Sequence, residues 1–397
     1  MTPSRNRRSL GRSVVRLTWQ LTLGTAVAIN LAHAQLATPL ITTLPSGRVQ
    51  VKNTGPSKWL GTSGWKLVLE RTIMPPEGSP GMLERPTRLT VTTDGQLIVY
   101  DAGSVTLRQY SAEGQFIRKI GNKGQGPGEY EFLLGFDARD GVVAAYAPGL
   151  RRLIMWKSDG TFIRQWATPS SDCGDGPTML GANATVVIPA CVNNGNAERA
   201  ALMRFSATGM IQDTILTPLL QNDPPAPAWQ TGAVRNKIPF SPIREFTLDS
   251  RLRYVYGWSG TYSLIVANRG TDTARIIQLP GKAQTIAPKF TDSVYERTQR
   301  GALKGIAKRT DFPTEFPMFT ALHSDELDNI WIDRPGPDYQ TANYDVIDRD
   351  GRLLGTVAAP PGLSRGTVWR NSRMYRISEN ADGLPTIQVF KVERGKY

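Results

Sequence analysis

The chain has 397 residues, 40% hydrophobic and 20% charged, and its 47 Lys and Arg against 34 Asp and Glu give a formal net charge of +13. Its only histidines are His33 and His323, which excludes a zinc site built mainly from histidines. A basic balance can favour nucleic acid or anionic surfaces. No recognition motif accompanies it here, and nucleic-acid binding is not expected.

Residues 1–34 are predicted to be a signal peptide. A basic region leads into the apolar stretch Leu17–Leu31 and the cleavage site Ala32-His33-Ala34. The basic residues are Arg5, Arg7, Arg8, Arg12 and Arg16. Without them, 42 Lys and Arg face 34 acids, a net charge of +8. The Arg7-Arg8 pair leaves a twin-arginine route open, and no Cys follows the site to carry a lipid anchor. No other apolar run is long enough to span a bilayer, so we expect an exported chain, periplasmic or secreted.

Two segments precede the first repeated unit. Residues 35–64 are polar and contain several Pro and Gly, and they are predicted to be a loose N-terminal leader. Trp65–Ile73 (WKLVLERTI) is apolar and β-prone, and it belongs to none of the repeats. We therefore expect it to provide a strand to a sheet elsewhere in the fold.

The stretch from Leu83 to Phe132 contains four short apolar runs separated by tight turns. The runs are Arg88–Val91, Leu97–Tyr100, Val105–Tyr110 and Phe116–Ile120. This pattern predicts a four-stranded antiparallel meander. Asp159–Arg164 matches Glu113–Arg118 at a separation of 46 residues, which is the blade period of a β-propeller.

Further copies follow along residues 132–397, and the last has three strands and lacks its outermost one. The predicted fold is all-β: a six-bladed β-propeller of four-stranded antiparallel blades over residues 65–397. The strand at 65–73 closes the ring, because closure removes both sheet edges. Seven blades remain an alternative if residues 217–260 contain another.

Two regions depart from the repeat. Residues 217–242 carry six prolines and are predicted to be a long connection between blades. Residues 280–316 are predicted to be a short helical insertion, with a capping box at Ser293 and Glu296 and a basic face. The basic residues are Arg297, Arg300, Lys304, Lys308 and Arg309. We favour an insertion packed on the ring; a lid or a docking surface for an acidic partner is the alternative.

Cys173 and Cys191 are the only cysteines. In a chain bound for an oxidising compartment they are predicted to form a disulfide. It would close a loop of about 19 residues and stabilise the fold by about 3 kcal/mol in the chain-entropy model.

The junctions between copies resemble those of a known family. Ile120–Tyr130 (IGNKGQGPGEY) and the Gly78–Gly81 segment with Arg85-Pro86 are similar to junctions of NHL-type propellers. The Gly-x-Gly-Pro-Gly-Glu-aromatic form resembles bacterial exported proteins known as 6-bladed β-propellers. The resemblance covers roughly residues 65–397. It implies the architecture and no single activity, since that family has no common chemistry.

Catalytic motifs are scarce. No Gly-x-Ser-x-Gly elbow or P-loop is present, and His323 is expected to be a packed or turn histidine. Propeller enzymes of the gluconolactonase and NHL-lyase kind hold calcium or another metal at the central channel, and oxygen ligands alone suffice for calcium. The acidic residues at blade junctions are Glu84, Asp101, Glu129, Glu245, Asp325 and Asp333. Asp101 and Asp333 each end a second strand and are expected to cap the following turn.

The favoured function is a non-catalytic, exported propeller that binds a small polar ligand or an envelope protein on one face. Loops that share this face should carry the binding residues, with Arg offering bidentate contacts. The candidates are Glu84, Arg85, Arg88, Asp101, Glu129, Tyr130, Arg151 and Arg152. No catalytic residue, metal ligand or cofactor is assigned, and a monomer is expected. The alternative is a calcium-dependent hydrolase or lyase with carboxylates at the channel.

Overall fold

The computed structural model describes residues 39–55, 57–59, 64–169, 178–194, 197–216, 227–232, 234–267, 273–362 and 365–395. These residues belong to one compact unit, Leu36–Tyr397. The predicted signal peptide (residues 1–34) and Cys173 lie outside the described residues. The side chain of Cys191 does too, so the predicted disulfide stays a prediction.

Thirty strands and one α-helix make up the regular structure of the described ranges, with short 3-10 helices at Pro148–Leu150, Ala182–Ala184 and Arg309–Asp311. The N-terminal strands are β1 (Leu40–Thr43), β2 (Val49–Lys52) and β3 (Lys66–Ile73). Blade 1 has β4 (Pro86–Val91), β5 (Leu97–Asp101), β6 (Thr106–Tyr110) and β7 (Phe116–Ile120), followed by the pair β8 (Asn122–Lys123) and β9 (Glu129–Tyr130). Blade 2 has β10 (Gly135–Arg139), β11 (Val142–Ala147), β12 (Arg152–Lys157) and β13 (Phe162–Ala167).

Blade 3 has β14 (Met179–Leu180), β15 (Val186–Asn194), β16 (Ala197–Phe205) and β17 (Ile211–Leu216), followed by the hairpin β18 (Ala228–Thr231) and β19 (Val234–Lys237). Blade 4 has β20 (Arg244–Leu248), β21 (Tyr254–Trp258), β22 (Ser263–Ala267) and β23 (Thr273–Gln278), followed by helix α1 (Pro288–Thr298). Blade 5 has β24 (Ala321–Ser324), β25 (Ile330–Pro335), β26 (Thr341–Ile347) and β27 (Leu353–Ala358), and blade 6 has β28 (Arg365–Arg370), β29 (Arg373–Glu379) and β30 (Pro385–Glu393).

The six-bladed prediction is confirmed. Each blade has four antiparallel strands, which follow chain order from the innermost to the outermost in blades 1 to 5 and run β28, β29, β30 and then β3 in blade 6. The region 217–260, which left a seventh blade open, contributes the β18–β19 hairpin and the first two strands of blade 4.

The ring closes as predicted. β3 pairs antiparallel with β30 and becomes the fourth strand of blade 6, with Leu67 opposite Val392 and Ile73 opposite Ile387. A bulge between Leu69 and Arg71 bends this closing strand. The N-terminal strand thus covers the edge that the three C-terminal strands leave exposed.

The expectation of a loose leader over residues 35–64 was wrong for the part that forms β1 and β2. These strands make an antiparallel hairpin, and β2 pairs in parallel with β23, which extends blade 4 to six strands. The composition of this segment could not predict the pairing, because the partner strand is more than 200 residues away in the sequence. Asn53 fastens the hairpin: its Nδ2 donates to Gly351 O at 3.0 Å and its Oδ1 accepts from Leu353 N at 2.8 Å.

The predicted capping box in the insertion was also wrong. Helix α1 begins at Pro288, and Ser293 lies in its middle, where Oγ donates to Phe290 O at 2.9 Å. Pro at the first helical turn is already shaped for a helix start. The apolar side of α1 then packs on aromatic residues from the preceding crossing, so tertiary contacts set its position.

The hydrophobic core lies between neighbouring blades, where side chains of facing sheets interdigitate. Between blades 5 and 6, for example, the rings of Trp331 and Trp369 stack with their centroids 3.8 Å apart, beside the fully buried Tyr344. Among the described helices, none has the length and apolar character needed to cross a membrane.

Strand topology defines two faces of the ring. Turns between second and third strands, and crossings from one blade to the next, lie on what we call the upper face. Turns between first and second strands and between third and fourth strands lie on the lower face. Functional side chains are assigned to these faces below.

Candidate functional site

Asp101 ends β5 at the upper face and is completely buried. Its carboxylate accepts from the backbone N–H groups of Glu84 at 3.2 Å and Arg85 at 2.7 Å, and pairs with Arg108 Nη1 at 2.7 Å. Ser104 Oγ donates a further hydrogen bond at 2.9 Å. These contacts agree with the expected capping role, and they also hold the crossing from blade 6 to blade 1.

Glu129, Tyr130 and Arg152 form a second group around the glycine-rich crossing from blade 1 to blade 2. Glu129 Oε2 accepts from Gly126 N at 2.8 Å, and Arg152 Nη1 donates to Gly126 O at 3.3 Å. The fully buried Tyr130 hydroxyl bridges backbone groups of β6 and β7, each at 2.9 Å. This motif therefore organises the junction between blades.

The eight candidate residues share the upper face, as expected, but do not form one site. Arg88 is half-buried on β4, and Arg151 is exposed at a left-handed turn with φ of 49°. Within the described residues, no hydrogen bond or ion pair joins the Asp101 group to the Glu129 group. A small cleft of about 100 Å³ borders Glu84 and Arg85 between blades 6 and 1. The contacts of both groups mainly stabilise the crossings between neighbouring blades.

Arg334 of blade 5 occupies the position of Asp101 in blade 1, and it pairs at 2.9 Å with Asp345, which stands where blade 1 has Arg108. Asp333 lies one residue earlier, on the opposite face of its sheet, so the expectation that it ends the second strand was wrong. Its Oδ2 accepts from Thr341 Oγ1 at 3.1 Å, and its Oδ1 lies 3.2 Å from His323 Nε2. A carboxylate and an imidazole thus face each other beside the innermost strand.

His323 lies on β24, the innermost strand of blade 5, and its side chain is 20% exposed. A packed or turn histidine was expected at this position, which agrees with the burial of the side chain, but the neighbouring carboxylate was not expected. Burial alone would lower the pKa of His323, but the carboxylates of Asp333 and Glu245 outweigh it and raise the pKa above its ordinary value. The imidazole therefore carries positive charge over a wider pH range than a free histidine.

Glu245 reaches the same region from β20, the innermost strand of blade 4. Its charge also acts on Tyr339, whose pKa is raised by burial first and by Glu245 second. The ring of Tyr339 packs on Phe240 and Phe316, with centroids 4.7 and 5.1 Å away. Tyr339 thus joins the carboxylate to an aromatic cluster on the upper face.

We call this aromatic cluster and its supports the cap: residues 227–240, without 233, and residues 284–316. Its core unites the crossing into blade 4 with the crossing into blade 5, including helix α1. The core residues are Trp229, Ile238, Phe240, Ile286, Ala307, Phe312 and Phe316. Trp229 Nε1 donates to Asp311 Oδ2 at 2.7 Å and ties the two crossings together.

The lower end of the channel is bridged by Arg370 at the end of β28. Its Nη1 donates to the carbonyl oxygens of Val91 in blade 1 and Ala138 in blade 2, the latter at 3.0 Å. Asp137 Oδ1 lies 3.8 Å from Nη2 and accepts from Thr90 Oγ1 at 2.8 Å. Arg370 therefore ties blade 6 to blades 1 and 2 at the lower face.

We call His323, Asp333, Glu245 and Tyr339 the channel-mouth group. Tyr339 was missed in the sequence, and His323 was given no binding role. Asp333 and Glu245 were readable as acidic residues at blade junctions, but their neighbours in space were not. Among the described residues, no three or more His, Cys, Asp and Glu side chains are arranged to hold a metal ion.

Comparison with known proteins supports the fold. A family model described as 6-bladed beta-propeller matches residues 82–172, which span blades 1 and 2. Among curated proteins, none matches the sequence. A solved Bacteroides fragilis protein described as exported is 10% identical, with a TM-score of 0.51, and the match covers 86% of this chain and 98% of that one.

Two further structures extend the comparison. A member of the DUF4221 family from Bacteroides vulgatus is 11% identical with a TM-score of 0.53, covering 84% of this chain and 100% of that one. Virginiamycin B lyase from Staphylococcus aureus is 11% identical with a TM-score of 0.41, covering 90% and 96%, and supports no inference about activity. The family model over blades 1 and 2 and the two Bacteroides structures, with TM-scores above 0.5, support the same conclusion: this protein has the fold of a six-bladed β-propeller.

Proposed function

We propose that this protein is an exported, non-catalytic β-propeller that binds a small polar ligand at the channel-mouth group, beneath the cap. The observation that carries the proposal is the Asp333–His323 contact of 3.2 Å, in which a carboxylate and an imidazole face each other at the inner strands of blade 5. Export rests on the predicted signal peptide.

The charge balance suggests the ligand's chemistry. Two carboxylates, Asp333 and Glu245, act on one imidazole. An amine-bearing, hydroxylated small molecule can donate charge-assisted hydrogen bonds to such carboxylates.

The cap supplies the apolar part of such a site. Binding sites commonly combine aromatic walls with a few polar groups that fix orientation. Tyr339 belongs to both parts here, since its ring packs on the cap and Glu245 acts on its hydroxyl. In this proposal the cap positions Tyr339 over the polar group and restricts access of water.

Melting of the protein with glucosamine, and with glucose as the neutral counterpart, tests the proposal. A ligand at a hundredfold excess over its dissociation constant stabilises the fold by about 2.7 kcal/mol. For a domain of this size that is a rise in Tm of about 3 °C. We expect glucosamine to raise Tm more than glucose, and Asp333→Asn to abolish the rise.

The matched control is Asp338→Asn, which removes an exposed carboxylate from the turn between β25 and β26. It should keep the full response to glucosamine. If amines leave Tm unchanged, or if both variants lose the response equally, the proposal fails. A Tm that falls with EDTA and recovers with calcium would instead favour the calcium-dependent hydrolase or lyase.

A further inference from the structure

A second charged concavity lies on the lower face, between blades 4 and 5. It has a volume of about 270 Å³. Its lining consists only of charged residues: Arg251, Arg253, Arg275, Asp328, Arg349 and Asp350. We call it the arginine cleft. Its side chains carry a net charge of two positive units, on the face opposite the channel-mouth group.

Two of the four arginines are held in place. Arg253 Nε pairs with Asp249 Oδ2 at 2.6 Å, and Asp249 is only 2% exposed. Arg275 Nη1 donates to Arg349 O at 2.7 Å, and its Nη2 lies 3.6 Å from Asp350. Both guanidinium groups are largely shielded and keep further N–H donors, so they offer pre-oriented positive charge.

The other two arginines are available. Arg251 and Arg349 are exposed at the turns of blades 4 and 5, and neither side chain has an ion pair or hydrogen bond in the described part of the chain. Asp328, in contrast, is engaged, since it accepts from Ser250 N at 2.8 Å and Ser250 Oγ at 3.0 Å. The available positive charge of the cleft therefore comes from Arg251 and Arg349, one on each of the two blades that line it.

We propose that the arginine cleft binds a phosphate or sulfate oxyanion. Guanidinium groups match the geometry of such oxyanions by donating paired N–H bonds. Charge from two blades meets here because first-to-second and third-to-fourth strand turns of neighbouring blades share the lower face. The oxyanion belongs either to a small molecule or to a lipid headgroup.

Calorimetric titration of the protein with inorganic pyrophosphate tests this inference. We expect saturable binding that Arg251→Ala with Arg349→Ala weakens at least tenfold. Both side chains are exposed, and Arg349 keeps the backbone carbonyl that Arg275 uses, so the double variant should fold. Asp350→Asn should tighten binding severalfold, because it removes a carboxylate from the cleft.

Arg300→Ala is the control, since it removes one exposed positive charge beside helix α1 on the upper face, away from the cleft. It should change the affinity less than twofold. Vesicles of phosphatidylglycerol and phosphatidylcholine distinguish the source: arginine-dependent binding to the anionic vesicles alone places the phosphate on a lipid. If neither pyrophosphate nor anionic vesicles bind, or if Arg300→Ala weakens binding as much as the double variant, the inference is wrong.

Discussion

Single residues at equivalent positions give blades 1 and 5 different junctions. The buried pair Asp101–Arg108 of blade 1 corresponds to the pair Arg334–Asp345 of blade 5, in which the two charges are exchanged. Asp101 also accepts from backbone N–H groups of the crossing. Asp333, one residue before Arg334, faces His323 instead. A shift of one residue along the second strand therefore places the carboxylate on the opposite face of the sheet.

The raised pKa of His323 predicts a pH-dependent stability. A histidine whose pKa is higher in the folded state stabilises the fold fully below its unfolded value, near 6.5. That contribution is lost as pH rises through the higher folded value. We expect His323→Gln to destabilise the protein more at pH 5.5 than at pH 8.5, measured as the free energy of unfolding in urea.

Because His33 lies in the predicted signal peptide, His323 would be the only histidine of the processed chain, and NMR can follow its titration directly. Asp333→Asn should lower the titration midpoint, since it removes the closest negative charge. A midpoint at or below 6.5 in the wild-type protein would contradict the expected shift.

At the scale of elements, tight turns carry contacts between blades as well as connecting strands. Gly114, in the turn between β6 and β7, has a φ of +93°, and a Cβ there would lie 2.6 Å from Ile73 on the closing strand. Gly95, in the turn between β4 and β5, has a similar φ of +86°, but its nearest neighbour would be 3.6 Å away. Both glycines adopt a positive φ that other residues disfavour, but only Gly114 is packed tightly against a neighbouring blade.

Comparing Ala substitutions at Gly95 and Gly114 separates the cost of backbone strain from the cost of a steric clash. Gly95→Ala should cost about 1–2 kcal/mol, which is the penalty for a left-handed Ala. Gly114→Ala should cost that and about 1–3 kcal/mol more, because Ile73 has to shift in a packed junction. Urea unfolding of both variants measures the difference. Equal losses would mean that the closing strand yields to the added methyl group without cost.

At the scale of the whole molecule, the last blade is complete only when the two ends of the ring meet. Glu70, at the bulge of β3, reaches across β30 to Arg373 on β29, with Oε2 2.6 Å from Nε and Oε1 3.1 Å from Nη2. Bonding to Arg373 is the main reason that the pKa of Glu70 falls to about 2, with a smaller contribution from Arg71. An ion pair thus fastens the closing strand.

A lowered carboxylate pKa stabilises the fold above its unfolded value, near 4.5, and that contribution is lost as pH falls towards 2. Both partners are partly exposed, so we expect Glu70→Gln to cost no more than about 1 kcal/mol at pH 7. The cost should shrink at pH 3 in urea unfolding. Glu393→Gln, which breaks the looser 3.6 Å pair with Lys391, is the control and should cost less. A loss at Glu70 that does not depend on pH would contradict this role.

Much of this architecture could be read from the sequence because its signals are local. Alternating apolar runs, turn glycines and the 46-residue register are properties of short segments, and they identified the blades and the closing strand. Arg108 is also only seven residues from Asp101, so the ion pair between them could be anticipated in part. The start of helix α1 could not, because packing on Phe240 and Phe316 outweighed the local capping signal.

The sequence by itself determined the strand periodicity and the need for an N-terminal strand to close the ring, and it predicted six blades with seven as the alternative. Tertiary structure decided the rest: the pairing of β2 with β23, the cap, the channel-mouth group and the arginine cleft. The physical reason is distance along the chain. Glu245 and His323 come from different blades, as do Arg251 and Arg349, and their charges act together only once the ring has closed.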